Sequence, residues 1–315
     1  MSAALPPGLV STPMRTVSLP EVPDALRKLW RTCVEGTDGE VARSLTANFL
    51  GVAFAADGDH LREAVERLQR RTPCRAFLLR IDERAGELQA AITATMRCQG
   101  KLRDIVLEEI AIALPEADFA TIPGLVRPLL VNDLPTHLYW AAPWSRATGA
   151  FDEMARLCDH VVVDSRRCVD APHELAVLAR RRAAGERITD LAWLRLRPWR
   201  RALAEAFERV PWQAGTAAGA IIRHGRRAAA AAQLLGEWLD ARLGSRTQRD
   251  AHGAAEASEP EQVVVKTGGH EVELTTDGQQ ITVHVTTPES CLVPFRVPTS
   301  RSADGDLLAA AIDIA

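Results

Sequence analysis

The sequence predicts an α/β protein with a mixed, mostly parallel sheet, flanking helices and a small β-rich C-terminal domain. Three observations predict it. Two stretches read strand, helix, strand (Ser44 to Ile81 and Leu134 to Val163), and parallel neighbours require that kind of crossover. Runs such as Cys74 to Ile81 are apolar on both faces, as strands covered by helices on two sides are. Near the end, 263–286 alternates with period two between Gly268-Gly269 and Asp277-Gly278, the pattern of antiparallel hairpins.

Residues 1–23 carry five prolines without apolar periodicity and read as a flexible lead-in. Leu26, Leu29, Trp30 and Cys33 then mark one face of a helix, with Asp24 as its cap. Ser44 to Ala55 reads as a buried strand. A helix capped by Asp59 follows, with Leu61, Ala64, Val65 and Leu68 inward, until Pro73 stops it ahead of the strand Cys74 to Ile81. Glu87 to Cys98 and Asp104 to Leu114 read as two more strands, and Phe119 to Leu130 as a short, proline-interrupted helix. The second strand, helix, strand unit is Leu134 to Trp140, Gly149 to Cys158 and His160 to Val163.

Helices are then expected at Pro172 to Ala184 and, capped by Asp190, from Leu191 to Phe207 with a break at Pro198. A strand at Gly219 to Arg223 and an alanine-rich helix to Leu243 close an α/β domain over 24–243. The polar stretch 244–262 reads as a linker. Beyond it, 263–315 is expected to be a small antiparallel β domain ending in a helix from Asp304.

The 315 residues, 47% of them hydrophobic and 25% charged, are ample for a packed core. A net charge of -3, drawn from 38 basic and 41 acidic residues, argues against a general grip on nucleic acid or an anionic membrane. No run approaches the roughly 20 apolar residues needed to span a bilayer, so a cytoplasmic location is expected. Six scattered cysteines without a CxxC are expected to be reduced. Cys158 and Cys168, which flank one strand, are the pair to examine for redox behaviour.

Standard chemical motifs are missing. No GxGxxG follows either strand-helix opening, and there is no phosphate-loop Gly-Lys-Ser/Thr, GxSxG or HExxH. No catalytic residue, metal ligand or cofactor is therefore expected. Two features remain. Asp164-Ser165-Arg166-Arg167 follows an apolar strand at the edge where open sheets bind ligands, and reads either as an anion clamp or as a turn with solvated arginines. Trp193, Arg195, Arg197, Trp199, Arg200 and Arg201 form the second feature. It reads either as a core helix or as a partner-binding surface, Trp and Arg being enriched at interface hot spots. Trp193 and Trp199, about 240° apart on a helix, cannot share one narrow stripe.

Taken in order, these residues resemble the OpcA family of glucose-6-phosphate dehydrogenase assembly proteins. The resemblance runs through Thr46-Ala-Asn48, Arg71-Thr-Pro73-Cys-Arg75, Leu129 to Trp140, His160 to Arg166, and Asp190 to Arg200. Tyr139-Trp140 stands where the family carries a Trp pair, Leu194 where a hydroxyl residue is common, and Cys74 where Ser is frequent. The resemblance implies a non-catalytic protein that binds glucose-6-phosphate dehydrogenase, promotes its assembly and activates it allosterically. In that role it would support NADPH supply through the pentose phosphate pathway. The alternative is a small sugar-phosphate or nucleotide-binding enzyme using the Asp164 to Arg167 strand end.

Overall fold

The computed structural model describes residues 9–34, 41–86, 88–99, 102–143, 148–210, 217–244, 246–252, 257–299 and 302–314. The chain forms two units. The first holds residues up to Val163, then Gly185–Thr189 and Ala303–Ala315; the second holds Asp164–Ala184 and Asp190–Ser302.

In the first unit, β1 (Leu9–Ser11), β2 (Arg15–Ser18) and α1 (Val22–Val34) precede β3 (Val41–Arg43) and β4 (Ala47–Phe54). Then come α2 (Gly58–Leu68), β5 (Cys74–Ile81), β6 (Gln89–Gln99), β7 (Leu102–Leu114), α3 (Ile122–Val126), β8 (Thr136–Trp140), α4 (Thr148–Ala155) and β9 (His160–Val163). The sheet order is β1, β6, β7, β5, β4, β8, β9, with a further strand, Ile188–Asp190, beyond β9. The run from β7 to β9 is parallel, whereas β6 is antiparallel to β7. Burial on both faces of β4 and β5 matches their unbroken apolar sequences. Gly51 lets α2 lie close: a Cβ there would stand 2.8 Å from a Leu61 methyl.

The second unit contains α5 (Ala171–Ala183), and after β10 (Ile188–Asp190) come α6 (Leu191–Arg195), α7 (Arg197–Phe207), β11 (Ala217–His224) and α8 (Ala229–Leu243). The chain continues through β12 (Thr247–Ala251), β13 (Gln262–Thr267), β14 (His270–Thr276), β15 (Gln280–Thr286) and β16 (Phe295–Pro298), and α9 (Asp304–Asp313) then belongs to the first unit. Strands β11 to β16 form one sheet, antiparallel except for the β11 and β12 pair. Its register aligns Val263 with Leu274 and Val283, and Val265 with Val272 and Val285. That face is buried with Trp199, Leu203, Leu235 and Leu239 of α7 and α8.

The fold class is as the sequence predicts, but several boundaries differ. Residues 9–23 of the expected lead-in are ordered, because β1 and β2 satisfy the outer edge of β6 by pairing with it. Asp24 lies inside the first turn of α1 and pairs with Arg27; a Ser18 to Glu21 hydrogen-bonded box precedes the helix instead. Asp59 likewise falls inside α2. The expected linker contains β12. Gly244 ends α8 in the left-handed conformation (φ 64°), and the Thr247 N–H and hydroxyl donate to Asp240 at 2.6 and 2.7 Å, which starts a strand beside β11. The antiparallel domain expected over 263–315 therefore begins earlier, and α9 leaves it: a Cβ at Gly305 would overlap Arg67 Cβ and the Ala64 carbonyl of α2.

Candidate functional site

The break expected at Pro198 is present. Asp190 caps α6, its Oδ1 accepting the Ala192 N–H at 2.9 Å; the helix ends at Arg195, and Pro198 sits in the first turn of α7. The bend sends the two tryptophans to different places. Trp199 is fully buried in the core of the second unit and donates its indole N–H to Glu259 at 3.1 Å. Trp193 stays half-buried at the margin of that core. The Arg200 guanidinium lies 3.8 Å from its ring centroid and also donates to its carbonyl at 3.3 Å.

The two features that the sequence suggested separately meet around one carboxylate. Asp164 is fully buried. Arg166 reaches it through Nε (3.1 and 3.0 Å) and Nη2 (2.5 Å), and Arg195 Nη1 lies 3.2 Å from both oxygens. The Ser165 N–H donates to Asp190 Oδ1 at 3.1 Å, so the turn after β9 is tied to the cap of α6. Burial pushes the Asp190 carboxyl up to about 6. The Asp164 carboxylate adds to that rise, while donation from Ser165 and Ala192 opposes it. Burial also raises Glu259, against the pull of the Trp199 indole, Arg195 and Arg166.

Of the expected partner-binding residues, Arg195 and Trp199 are thus interior and are corrected from contact residues to supporting ones, their polar atoms being turned to Asp164 and Glu259. Arg197 and Arg201 are exposed, and Trp193 and Arg200 are half-exposed. The anion clamp is corrected as well: Asp164 holds Arg166, Ser165 is buried, and the Arg167 N–H donates to the Asp164 carbonyl at 3.0 Å, closing the turn. Burial raises the Cys158 and Cys168 thiols far above the usual range, which leaves neither as a reactive thiolate at neutral pH. Glu259 was missed because it lies in the stretch read as linker, which has no apolar residue larger than alanine except Pro260.

The first unit holds a group that no motif announced. His137 and His160 face each other in register on β8 and β9, with ring centroids 5.6 Å apart and edge to face. They line a cleft of about 450 Å³ at the amino ends of β4, β8 and β9. Among the described residues, no cluster of three or more His, Cys, Asp or Glu is arranged to hold a metal ion, and no helix is long and apolar enough to cross a membrane.

Two family models match adjoining parts of the chain. The glucose-6-phosphate dehydrogenase subunit N-terminal domain matches residues 65–180, and the corresponding C-terminal domain matches 186–314. The chain is similar to a putative OxPP cycle protein OpcA of Nostoc punctiforme, 29% identical over 141 residues, covering 44% of this chain and 30% of that protein. It is also similar to a protein of the same description from Synechocystis, 33% identical over 87 residues, covering 28% of this chain and 18% of that protein. Each match spans less than a third of the relative's own length. Among solved structures, a Synechocystis biliverdin reductase gives a TM-score of 0.47 at 8% identity over 84% of this chain and 90% of that one, too low to inform on chemistry.

Proposed function

The chain belongs to the OpcA family of glucose-6-phosphate dehydrogenase assembly proteins, and from that premise we propose that it binds glucose-6-phosphate dehydrogenase, promotes its assembly and activates it allosterically. It does so without chemistry of its own, without a cofactor, and in the cytoplasm, supporting NADPH supply through the oxidative pentose phosphate pathway. The observation that carries this reading is the pair of family models, which together run from residue 65 to 314 and are both described for that dehydrogenase's subunit. Neither nucleic acid nor membrane is a partner in this reading.

The contact surface is the outer side of α6 and α7. Trp193 offers an aromatic face already stacked by Arg200, and Arg197 and Arg201 offer cations beside it. A stacked arginine loses little further rotamer freedom on binding, which favours this cluster as a hot spot. Arg195 and Trp199 hold the bend from inside. The enzyme alternative at Asp164 to Arg167 is disfavoured, because a ligand would have to displace Asp164 from both Arg166 and Arg195.

Mixing the purified full chain with the dehydrogenase, and following oligomeric state by light scattering alongside activity and substrate affinity, tests the reading. Change in one or more of these with rising chain concentration is expected; none at any ratio abandons it. Replacing Trp193 with Ala and Arg201 with Glu is expected to weaken association by about tenfold or more.

A further inference from the structure

The cleft in the first unit has the features of a built anion site. His137 and His160 are only 5% and 2% exposed, yet both line it. Their Nδ1 atoms lie 3.4 Å apart, and His160 Nε2 lies 2.9 Å from Thr189 Oγ1. One hydrogen of this relay sets the next. If His160 donates to Thr189 from Nε2, its Nδ1 accepts from His137 Nδ1–H; if Thr189 donates instead, His137 must carry its proton on Nε2. A buried aliphatic pair would fill the same space without desolvating two imidazoles.

The charges facing the pair are uneven. Arg71 is spent on Asp313 at 2.7 Å, and Asp159 accepts the Thr136 N–H at 2.8 Å. Arg187 is exposed, lines the cleft and has no carboxylate within ion-pair distance among the described residues. Its backbone is fixed, because its carbonyl accepts the Val161 N–H of β9 at 2.9 Å. Its guanidinium lowers the affinity of both rings for a proton, after burial for His137, and after burial and the neighbouring ring for His160. A cation held beside two imidazoles, at the mouth of a polar cleft, is a receptor for negative charge.

We propose that this cleft binds the oxyanion of a small metabolite, a phosphate, sulfate or carboxylate group, held between the Arg187 guanidinium and the His137 imidazole. Both free rings titrate below the ordinary histidine range, with His160 near 4. An anion placed beside Arg187 reverses that bias and draws a proton onto His137; Asp159, the near carboxylate, favours the same proton, and Arg71, already paired with Asp313, is neutral in effect. Affinity therefore rises as pH falls.

Sulfate is the probe, since it does not itself titrate between pH 5 and 8. In the full chain, sulfate is expected to shift the His137 and His160 ring proton resonances saturably, with affinity falling towards about tenfold per pH unit where one proton is taken up. Arg187→Gln, at an exposed side chain, should keep the fold and weaken binding about tenfold. His137→Gln should abolish the pH dependence. Parallel titrations with inorganic phosphate and with acetate tell a phosphate or sulfate ligand from a carboxylate one, according to which binds more tightly. The absence of any saturable shift, an unchanged affinity in Arg187→Gln, or a flat pH profile each overturns the proposal.

Discussion

Each unit is organised around one fully buried carboxylate, Glu108 in the first and Asp164 in the second, and their surroundings differ in a telling way. Glu108 receives the Trp30 indole at 2.8 Å, Arg43 at 2.6 and 3.0 Å and Arg75 at 2.7 Å, so each oxygen has two donors. Those donors join α1, β3, β5 and β7, and the acid serves as a rivet through the sheet. Asp164 also has two arginines, but two further acids share their neighbourhood, Asp190 and Glu259, with the Trp199 indole turned to the latter. Where one acid meets two cations and an indole, the acid's charge is fully matched. Where three acids meet the same complement, burial drives two of them towards the neutral form.

That contrast can be broken by substitution. Glu108→Ala leaves Arg75, 9% exposed, and the Trp30 indole without their partner, and is expected to cost about 4 kcal/mol of stability, read from the shift of a urea midpoint. Asp164→Ala is expected to cost about 3 kcal/mol, because Arg166, 26% exposed, can turn to water while Glu259 still faces Arg195. A larger loss for Asp164→Ala than for Glu108→Ala would reverse the comparison.

Asp190 sharpens it through pH. Its folded value of about 6 stands above the ordinary 3.8, so the folded chain keeps a proton that the unfolded chain releases, and stability falls as pH rises from about 4 through 6. The full change is on the order of 3 kcal/mol. Asp190→Asn retains a carbonyl for the Ser165 and Ala192 N–H groups and should flatten that part of the profile between about pH 4 and 6; parallel curves for the two proteins would disprove it. The smallest effect is expected for Arg166→Ala, about 1 kcal/mol, since Arg195 remains on Asp164.

The strands and helices that carry their own hydrophobic pattern were legible in the sequence: β4, α2 and β5, the second crossover unit, and the alternating β13 to β15. The strands β1, β2, β3 and β12 were not, because they are only three to five residues long, too short to show an alternation, and neighbouring edges decide their conformation. The Asp190 cap and the break at Pro198 were local signals and could be read. The Asp164 to Arg195 pairing spans 31 positions and the histidine pairing 23, and neither spacing is imposed by one helix or one strand. Whether Trp199 and Arg195 belong to a surface or to a core stayed open in the sequence, because composition alone does not tell a hot spot from a core helix with a buried ion pair.

The return of α9 to the first unit sets an order of events in synthesis. Its Gly305 presses on α2, while Asp304 and Asp313 reach His60 and Arg71. A ribosome delivers those residues only after all of Asp190–Ser302 has emerged. Until then the nascent first unit carries an open seat along α2, and the second unit, made in between, has its complete sheet first.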